Sequence, residues 1–185
     1  MAARKKLFLA LLGVAVLLVL LGGGSYVYFS PHLALREIEA AAKRHDTSAL
    51  SERVNFPAVR ASLKQQIKAR IDQGAQQSTN PFAALGSALA GALTDPAVDA
   101  LVTPDNVAAM LRGEAFGPAQ APRVELSARG VEMGYVDAHT FEVTTAGSAA
   151  FRLLLERDGL LDWKLTDVKL PQAWTWQAPG SAPAR

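Results

Sequence analysis

The sequence predicts an α+β protein, with an N-terminal transmembrane helix followed by several helices packed on one face of a four- or five-stranded antiparallel sheet. Residues 7–29 carry no charge. From Ser30 onward, apolar residues recur every three or four positions, which is typical of amphipathic helices. From Val124 to Leu170, apolar and polar residues alternate, which is typical of strands. Helices that precede a run of strands indicate the α+β class.

The N-terminal segment has the length and flanks of a membrane anchor. Residues 4–6 are basic and precede 23 uncharged residues, whereas a helix of about 20 residues crosses a bilayer. Tyr26, Tyr28 and Phe29 lie at its far end, where an interfacial aromatic belt is expected. The basic cluster predicts a single-pass protein with a cytoplasmic N-terminus and its C-terminal domain outside the cytoplasm.

A cleaved signal peptide is the alternative interpretation. Leu7 to Leu21 has h-region length, and Gly22–Gly24 supplies small residues after it. No A-x-A motif follows, and the uncharged run continues to Phe29, so we favour an uncleaved signal-anchor. Either way the sequence divides into a segment at 1–29, an exported domain at 30–171 and a flexible tail at 172–185.

Two helices joined by a short turn are predicted next. Ser30-Pro31 should cap and open the first, which ends near His45-Asp46, and Thr47 should cap a short turn. Asn55 should cap the second, which fades at Gly74. Its buried stripe repeats every fourth residue: Val59, Leu63, Ile67 and Ile71.

An uncharged helix is expected after Asn80-Pro81. One face carries Phe82, Leu85, Leu89 and Leu93, and the other carries Ala83, Ser87, Ala90 and Thr94, small enough to let another backbone approach. "DPAVDALV" and "TPDNVAAMLRG" should form two further short helices, the second capped by Thr103 and stopped by Gly113.

The alternating region predicts four or five strands. Turns are expected at Asp137-Ala138, at residues 146–148 and at Asp158-Gly159. The inward positions are Val124, Leu126, Val131, Met133, Tyr135, Phe141, Val143, Phe151, Leu153, Leu155, Leu161, Trp163 and Leu165. A phase change in the last strand predicts a β-bulge near Thr166-Asp167.

Arg60, Lys64 and Lys68 form a basic column on the second predicted helix and are candidates for structural or partner contacts. Like charges at i,i+4 destabilise a helix by about 0.2–0.5 kcal/mol per pair. Burial of one aliphatic side chain contributes about 1.5–3 kcal/mol and easily offsets this. We expect Arg60 to find a partner inside the fold and the two lysines to remain exposed, with acidic residues on the strands facing the helices.

Recognisable catalytic chemistry is missing from the sequence, so we predict that the protein is not an enzyme. Its three histidines are far apart, it has no cysteine, and it lacks the motifs of nucleophilic, nucleotide-binding and zinc sites. No catalytic, cofactor or metal residue is therefore assigned. Beyond residue 30 the chain has 16 basic and 17 acidic residues, which argues against nucleic-acid binding.

Two tryptophans in the polar tail, Trp174 and Trp176, are costly to leave in water. We expect them to dock on the same protein, and the alternative is contact with a partner.

The segment "SPHLALREIEAAAKRHDTSALSERVNFPAVRASLKQQI" resembles the opening of the bacterial family DUF2939, a domain of unknown function. Its members run S-P-Y-x-A-L and later V-D-F-P-x-L-R-x-S-L-K-x-Q. Here His32 replaces Tyr and Asn55 replaces Asp, which also caps helices. "NPFAALGSALAGALTDPAVDALVTP" and "LLERDGLLDWKLTDVKLP" resemble the middle and end, so the similarity covers residues 30–171.

The resemblance implies a membrane-tethered envelope protein of bacteria and implies no activity, ligand or catalytic residue. The order of elements is also similar, at fold level only, to the NTF2-like α+β cone. The leading hypothesis is a non-catalytic protein-interaction module, tethered through residues 7–29, with an envelope protein as partner. The alternative is a domain that binds a small apolar ligand or a lipid between helices and sheet, and an enzyme ranks last.

Overall fold

A computed structural model describes residues 2–80, 82–112, 114, 131–145 and 151–171, with side chains from Leu12 onward. Within these ranges, five helices precede four strands, in the order expected for the α+β class. The helices are α1 (Ala2–Lys43), α2 (Thr47–Arg53), α3 (Phe56–Gln76), α4 (Ala83–Leu101) and α5 (Pro104–Leu111). The strands are β1 (Glu132–Tyr135), β2 (Thr140–Thr144), β3 (Arg152–Arg157) and β4 (Trp163–Lys169).

The predicted break at Ser30-Pro31 is wrong, because α1 continues through both residues. A proline inside a helix leaves the carbonyl four residues earlier without its N–H donor, here that of Val27. The Ser30 hydroxyl donates to this Val27 carbonyl over 2.7 Å and replaces the missing bond. The apolar segment and the first helix of the domain are therefore one helix of 42 residues.

Within the described residues, α1 is the single helix that is by itself long and apolar enough to cross a membrane. Its apolar part is not buried in the domain, and its position fits either a membrane span or a signal sequence. The bent pair α4–α5, with 77° between its helices, passes the same test only if both helices are taken together.

Short polar caps set the boundaries of α2 and α3. His45 adopts a left-handed conformation (φ 56°) that ends α1. Asp46, and not Thr47 as expected, caps α2, and its Oδ1 accepts the backbone N–H of Ala49. A carboxylate one residue earlier is the better-placed acceptor for this free N–H. The Asn55 cap of α3 is confirmed, with Oδ1 accepting the N–H of Ala58 at 3.2 Å.

Two predicted helix ends are wrong. Gly74 lies inside α3, which continues to Gln76. The segment "DPAVDALV" is not a separate helix, since α4 continues through Pro96 to Leu101. These breaks were predicted from the low helix propensity of glycine and proline, and the packing of α4 along α3 outweighs that propensity. The Thr103 cap of α5 is confirmed by its bond from the N–H of Asn106.

The sheet is an antiparallel meander in the order β1-β2-β3-β4. The predicted bulge is confirmed: Leu154 pairs with Asp167 and Leu155 with Leu165, so Thr166 is the extra residue. The first described strand begins at Glu132 and leaves Met133 exposed. Leu161 is also exposed, because it lies in the turn before β4 and not in the strand.

Helices cover one face of the sheet and share a single apolar core with it. Trp163, Phe141, Leu155 and Val143 supply the sheet side of this core, and Trp163 is fully buried as expected. The expected strand at residues 124–126, the turn at 146–148, the stop at Gly113 and the tail at 172–185 lie outside the described residues.

Candidate interaction surfaces

The basic column of α3 faces α4, and its first member is tied into the fold. Arg60 donates from Nε to the carbonyl of Val102 at 3.0 Å, and its guanidinium lies 6.0 Å from the centre of the Phe56 ring. Val102 caps the C-terminus of α4, where carbonyls lack helical partners. Arg60 therefore does have an internal partner, and this partner is a helix end and not an acidic residue.

Both lysines of the column reach acidic residues of α4. Lys64 Nζ lies 2.8 Å from Asp99, and Lys68 Nζ lies 2.8 Å from Asp95. The lysine side chains are 25% and 44% exposed, so both are partly covered and the expectation that they remain exposed is wrong. The hydrogen bond from Lys68 holds the pKa of the Asp95 carboxyl below its ordinary value. The acids that neutralise this column lie on α4 and not on the strands.

Polar residues on another face of α3 bind the end of β4. The amide of Gln66 accepts the N–H of Leu170 at 3.0 Å and donates to the carbonyl of Val168 at 3.0 Å. The Ser62 hydroxyl donates to Asp167. Since β4 is an edge strand of the described sheet, Gln66 satisfies backbone groups that another strand would otherwise pair.

An apolar stripe runs along the outside of α4. Phe82, Leu85, Leu89 and Leu93 are 58–72% exposed, and we call these four residues the α4 stripe. The opposite, small-residue face turns inward, with Thr94 fully buried. Isolated exposed leucines are ordinary, but a row of four large apolar side chains on one helix face is a candidate interaction surface.

An open groove of about 290 Å³ lies between α3 and α4. Small residues border most of it, and nothing lies within 4 Å of the position that a Cβ would take at Gly74 or Gly86, so the close backbone approach expected for this face is not seen at these two glycines. The lining residues are Ile71, Gly74, Ala75, Ser78, Ala83, Gly86, Ser87 and Ala90. Ligand pockets are usually enclosed and about 300–1,000 Å³ in volume, so this groove is small and shallow by comparison.

The junction between the apolar segment and the domain is fixed by two hydrogen bonds. Trp163 Nε1 donates to Ser30 Oγ at 2.8 Å, and both residues are buried. Tyr135 Oη donates to the carbonyl of Tyr28 at 2.7 Å, and burial raises the pKa of this phenol. The phenol therefore stays protonated and able to donate at neutral pH. These contacts hold α1 against the end of β1 and the start of β4.

The remaining candidate residues give no site. Trp174 and Trp176 lie outside the described residues, so their docking stays a prediction. His32 lies between the rings of Phe29 and Phe141 and occupies an aromatic cluster. In the part of the chain that the structure describes, no group of three or more histidine or acidic side chains is placed to hold a metal ion.

The α4 stripe and the Gln66 bonds were not assigned from the sequence. The stripe was visible as a periodic apolar face, but periodicity does not tell which of two faces turns inward when the other is made of small residues. The Gln66 contact depends on a residue about a hundred positions away.

Most polar members of the motif "VNFPAVRASLKQQ" make these structural contacts. Asn55 caps α3, Arg60 and Lys64 bind α4, and Ser62 and Gln66 bind β4. The motif therefore joins α3 to its two neighbours, and its residues are explained by packing.

Comparison with known proteins found a family match. The family model DUF2939, described as a protein of unknown function, matches residues 19–110, from the apolar part of α1 to α5. No curated protein and no solved structure matches the chain. Similarity beyond residue 110 and the NTF2-like analogy remain predictions. Over residues 19–110, about half of its length, the chain resembles the DUF2939 family, as its motifs led us to expect.

Proposed function

We propose that this protein is a non-catalytic interaction module of the bacterial envelope, tethered to the inner membrane through residues 7–29, with its domain in the periplasm. The α4 stripe is the surface that binds its partner, and the partner is another envelope protein that offers a complementary apolar helix or strand face. The observation that carries the proposal is the exposure of all four stripe residues on one helix.

Continuity of α1 supports the tether. The helix leaves the uncharged segment and enters the domain core, where Ala34, Leu35, Ile38 and Ala42 are buried. A signal peptide is removed from the mature protein. Here cleavage near Ser25 would cut a continuous helix one turn before Ser30, a residue that the core uses.

The position of the stripe favours a protein partner over the lipid beside the anchor. β4 starts at Trp163, beside Ser30, and ends about 20 Å away at its seven-residue length. Gln66 and Arg70 hold this far end at Leu170, and α3 continues past it. The α4 N-terminus packs there, beside Ile71 and Gly74. The stripe therefore begins at the opposite end of β4 from the anchor.

Electrostatics also favour an apolar partner. Residues 73–94 carry no charge, so the stripe lies in a long uncharged stretch. Asp95 and Asp99 point to the lysines of α3. A partner that binds this surface must therefore do so through shape complementarity and apolar contacts, and not through charge.

The test is photo-crosslinking in intact cells, with a photoreactive amino acid at Leu89 and, as matched control, at Ala84. Both positions are exposed on α4, and Ala84 lies off the stripe. We expect one reproducible protein adduct from Leu89, lost when Leu85→Glu and Leu93→Glu are added, and none from Ala84. Equal adducts from both positions, or none from Leu89, would refute the assignment.

Binding of a small apolar molecule is the second candidate, and the α3–α4 groove supports it. Native mass spectrometry of the full chain, released from detergent, would detect a retained ligand. Gly86→Leu should then abolish the adduct, since a side chain there would enter the groove. A bare protein mass would count against this candidate and leave the stripe proposal standing.

A further inference from the structure

Two turns lie together at one end of the sheet. The first joins β1 to β2 at residues 136–139, and the second joins β3 to β4 at residues 158–162. In an antiparallel meander alternate turns fall at the same end, and here a backbone hydrogen bond joins the first turn to the residue just before the second. The N–H of Arg157, the last residue of β3, donates to the carbonyl of His139 at 2.8 Å. They form one continuous edge of the domain, which we call the turn end.

The turn end is also the point at which α1 leaves the apolar segment. Tyr135, just before the first turn, binds the carbonyl of Tyr28, and the two rings are 5.4 Å apart. Trp163, just after the second turn, binds Ser30. At about 1.5 Å per residue, the helix from Leu7 to Tyr28 is about 33 Å long, close to the 30 Å hydrocarbon core of a bilayer. If residues 7–29 span the membrane, the turn end lies at the lipid surface.

Apolar side chains are exposed on both turns. Val136 is 61% exposed and Leu160 is 72% exposed, and Leu161 beside it is 39% exposed. On α1, Tyr28 and Phe29 are more than half exposed at the same level. Large apolar and aromatic side chains next to a span are the groups that favour the membrane interface.

Charged groups on the turns are held by partners within the domain. The Asp137 carboxylate accepts the backbone N–H groups of His139 and Thr140, at 2.7 and 2.9 Å. Lys164 pairs with Asp158, and Arg53 pairs with Asp162. A carboxylate that already has donors loses less when it approaches a surface of low polarity. The turn end therefore exposes apolar side chains, while the carboxylates on its turns have partners within the domain.

We propose that the turn end rests on the bilayer, with Val136, Leu160 and Leu161 in the lipid interface beside the anchor. The occupant of this surface is lipid, because it is continuous with the span, whereas the α4 stripe begins about 20 Å away along β4. The contact fixes the orientation of the domain, so that the stripe begins at the end of the domain away from the membrane, within reach of other envelope proteins. This inference rests on the proposed tether.

The test uses the absence of native cysteine, which permits single-cysteine labelling. Full-length Val136→Cys and Leu160→Cys are each labelled with an environment-sensitive fluorophore and reconstituted in phosphatidylcholine nanodiscs that contain spin-labelled lipid. Leu89→Cys, equally exposed on the stripe, is the matched control, and Leu17→Cys reports on the span itself.

We expect the labels at 136, 160 and 17 to lose most of their fluorescence to the spin-labelled lipid, and the label at 89 to keep it. If 17 is quenched while 136 or 160 stays as bright as 89, the turn-end contact is refuted and the tether stands. Quenching at 89 in place of 136 and 160 would show the opposite orientation and also refute the contact. A bright label at 17 would overturn the tether and the inference together.

Discussion

Trp163 Nε1 and Ser30 Oγ form a buried hydrogen bond of 2.8 Å that joins the last strand to the helix carrying the apolar segment. The same hydroxyl donates to the Val27 carbonyl that Pro31 leaves unpaired. One serine therefore repairs the helix at its proline and satisfies the indole of the largest core residue. Through this residue the apolar segment and the domain become one structural unit.

Ser30→Ala should destabilise the domain by about 1–3 kcal/mol, because it leaves a buried indole N–H and a helix carbonyl without partners. Urea unfolding of the detergent-solubilised full chain, followed by tryptophan fluorescence, measures the loss. Ser51→Ala is the matched control, since Ser51 also bonds to a helix carbonyl but is exposed. Equal losses in the two variants would contradict the role of Ser30.

Gln66→Ala should cost about 1–3 kcal/mol, because Leu170 N–H and Val168 C=O both lose their partner at the edge of β4. Gln65→Ala, one position away on the exposed side of α3, should be near neutral. Hydrogen exchange should quicken at Leu170 in the first variant only. Unchanged exchange there would contradict the bond.

The pair Lys64–Asp99 should contribute only about 0.2–1 kcal/mol, as expected for a solvent-exposed ion pair. A double-mutant cycle with Lys64→Met and Asp99→Asn measures this coupling. The coupling should shrink at high salt, because exposed charges are screened. A coupling that is absent at low salt would show that the lysine column is not held by α4.

Acid should weaken the contact between α3 and α4. Because the pKa of Asp95 is lowered in the folded protein, its contribution is present above the unfolded pKa of about 3.9 and is lost as pH falls through the lower folded value. Between pH 6 and pH 2 the free energy of unfolding should therefore fall less steeply in Asp95→Asn than in the parent. Parallel profiles would contradict this assignment.

Local chemistry made much of the fold predictable. Asn55 and Thr103 have side chains that cap helices wherever a helix follows, and the phase change at Thr166 requires a bulge. The sequence misled at Pro31 and Pro96, because a proline breaks a helix only when nothing compensates for it. At Pro31 the compensating group is Ser30, the residue that sequence reasoning took as a cap.

The candidate surfaces were less predictable, because they depend on which elements become neighbours. From the sequence, Lys64 and Lys68 could belong to a binding surface, but in the structure they pair with Asp99 and Asp95 of α4. Periodicity placed Leu89 on an apolar face but did not tell whether that face turns inward, and it is the small face of α4 that packs on α3.

The most direct test of the central claim, that the domain is tethered through an uncleaved α1, is the intact mass of the protein extracted from cell membranes. We predict the full chain of 19.6 kDa, with or without Met1, in the membrane fraction. A mature protein that starts near Ser25 and is recovered in the soluble fraction would contradict the claim.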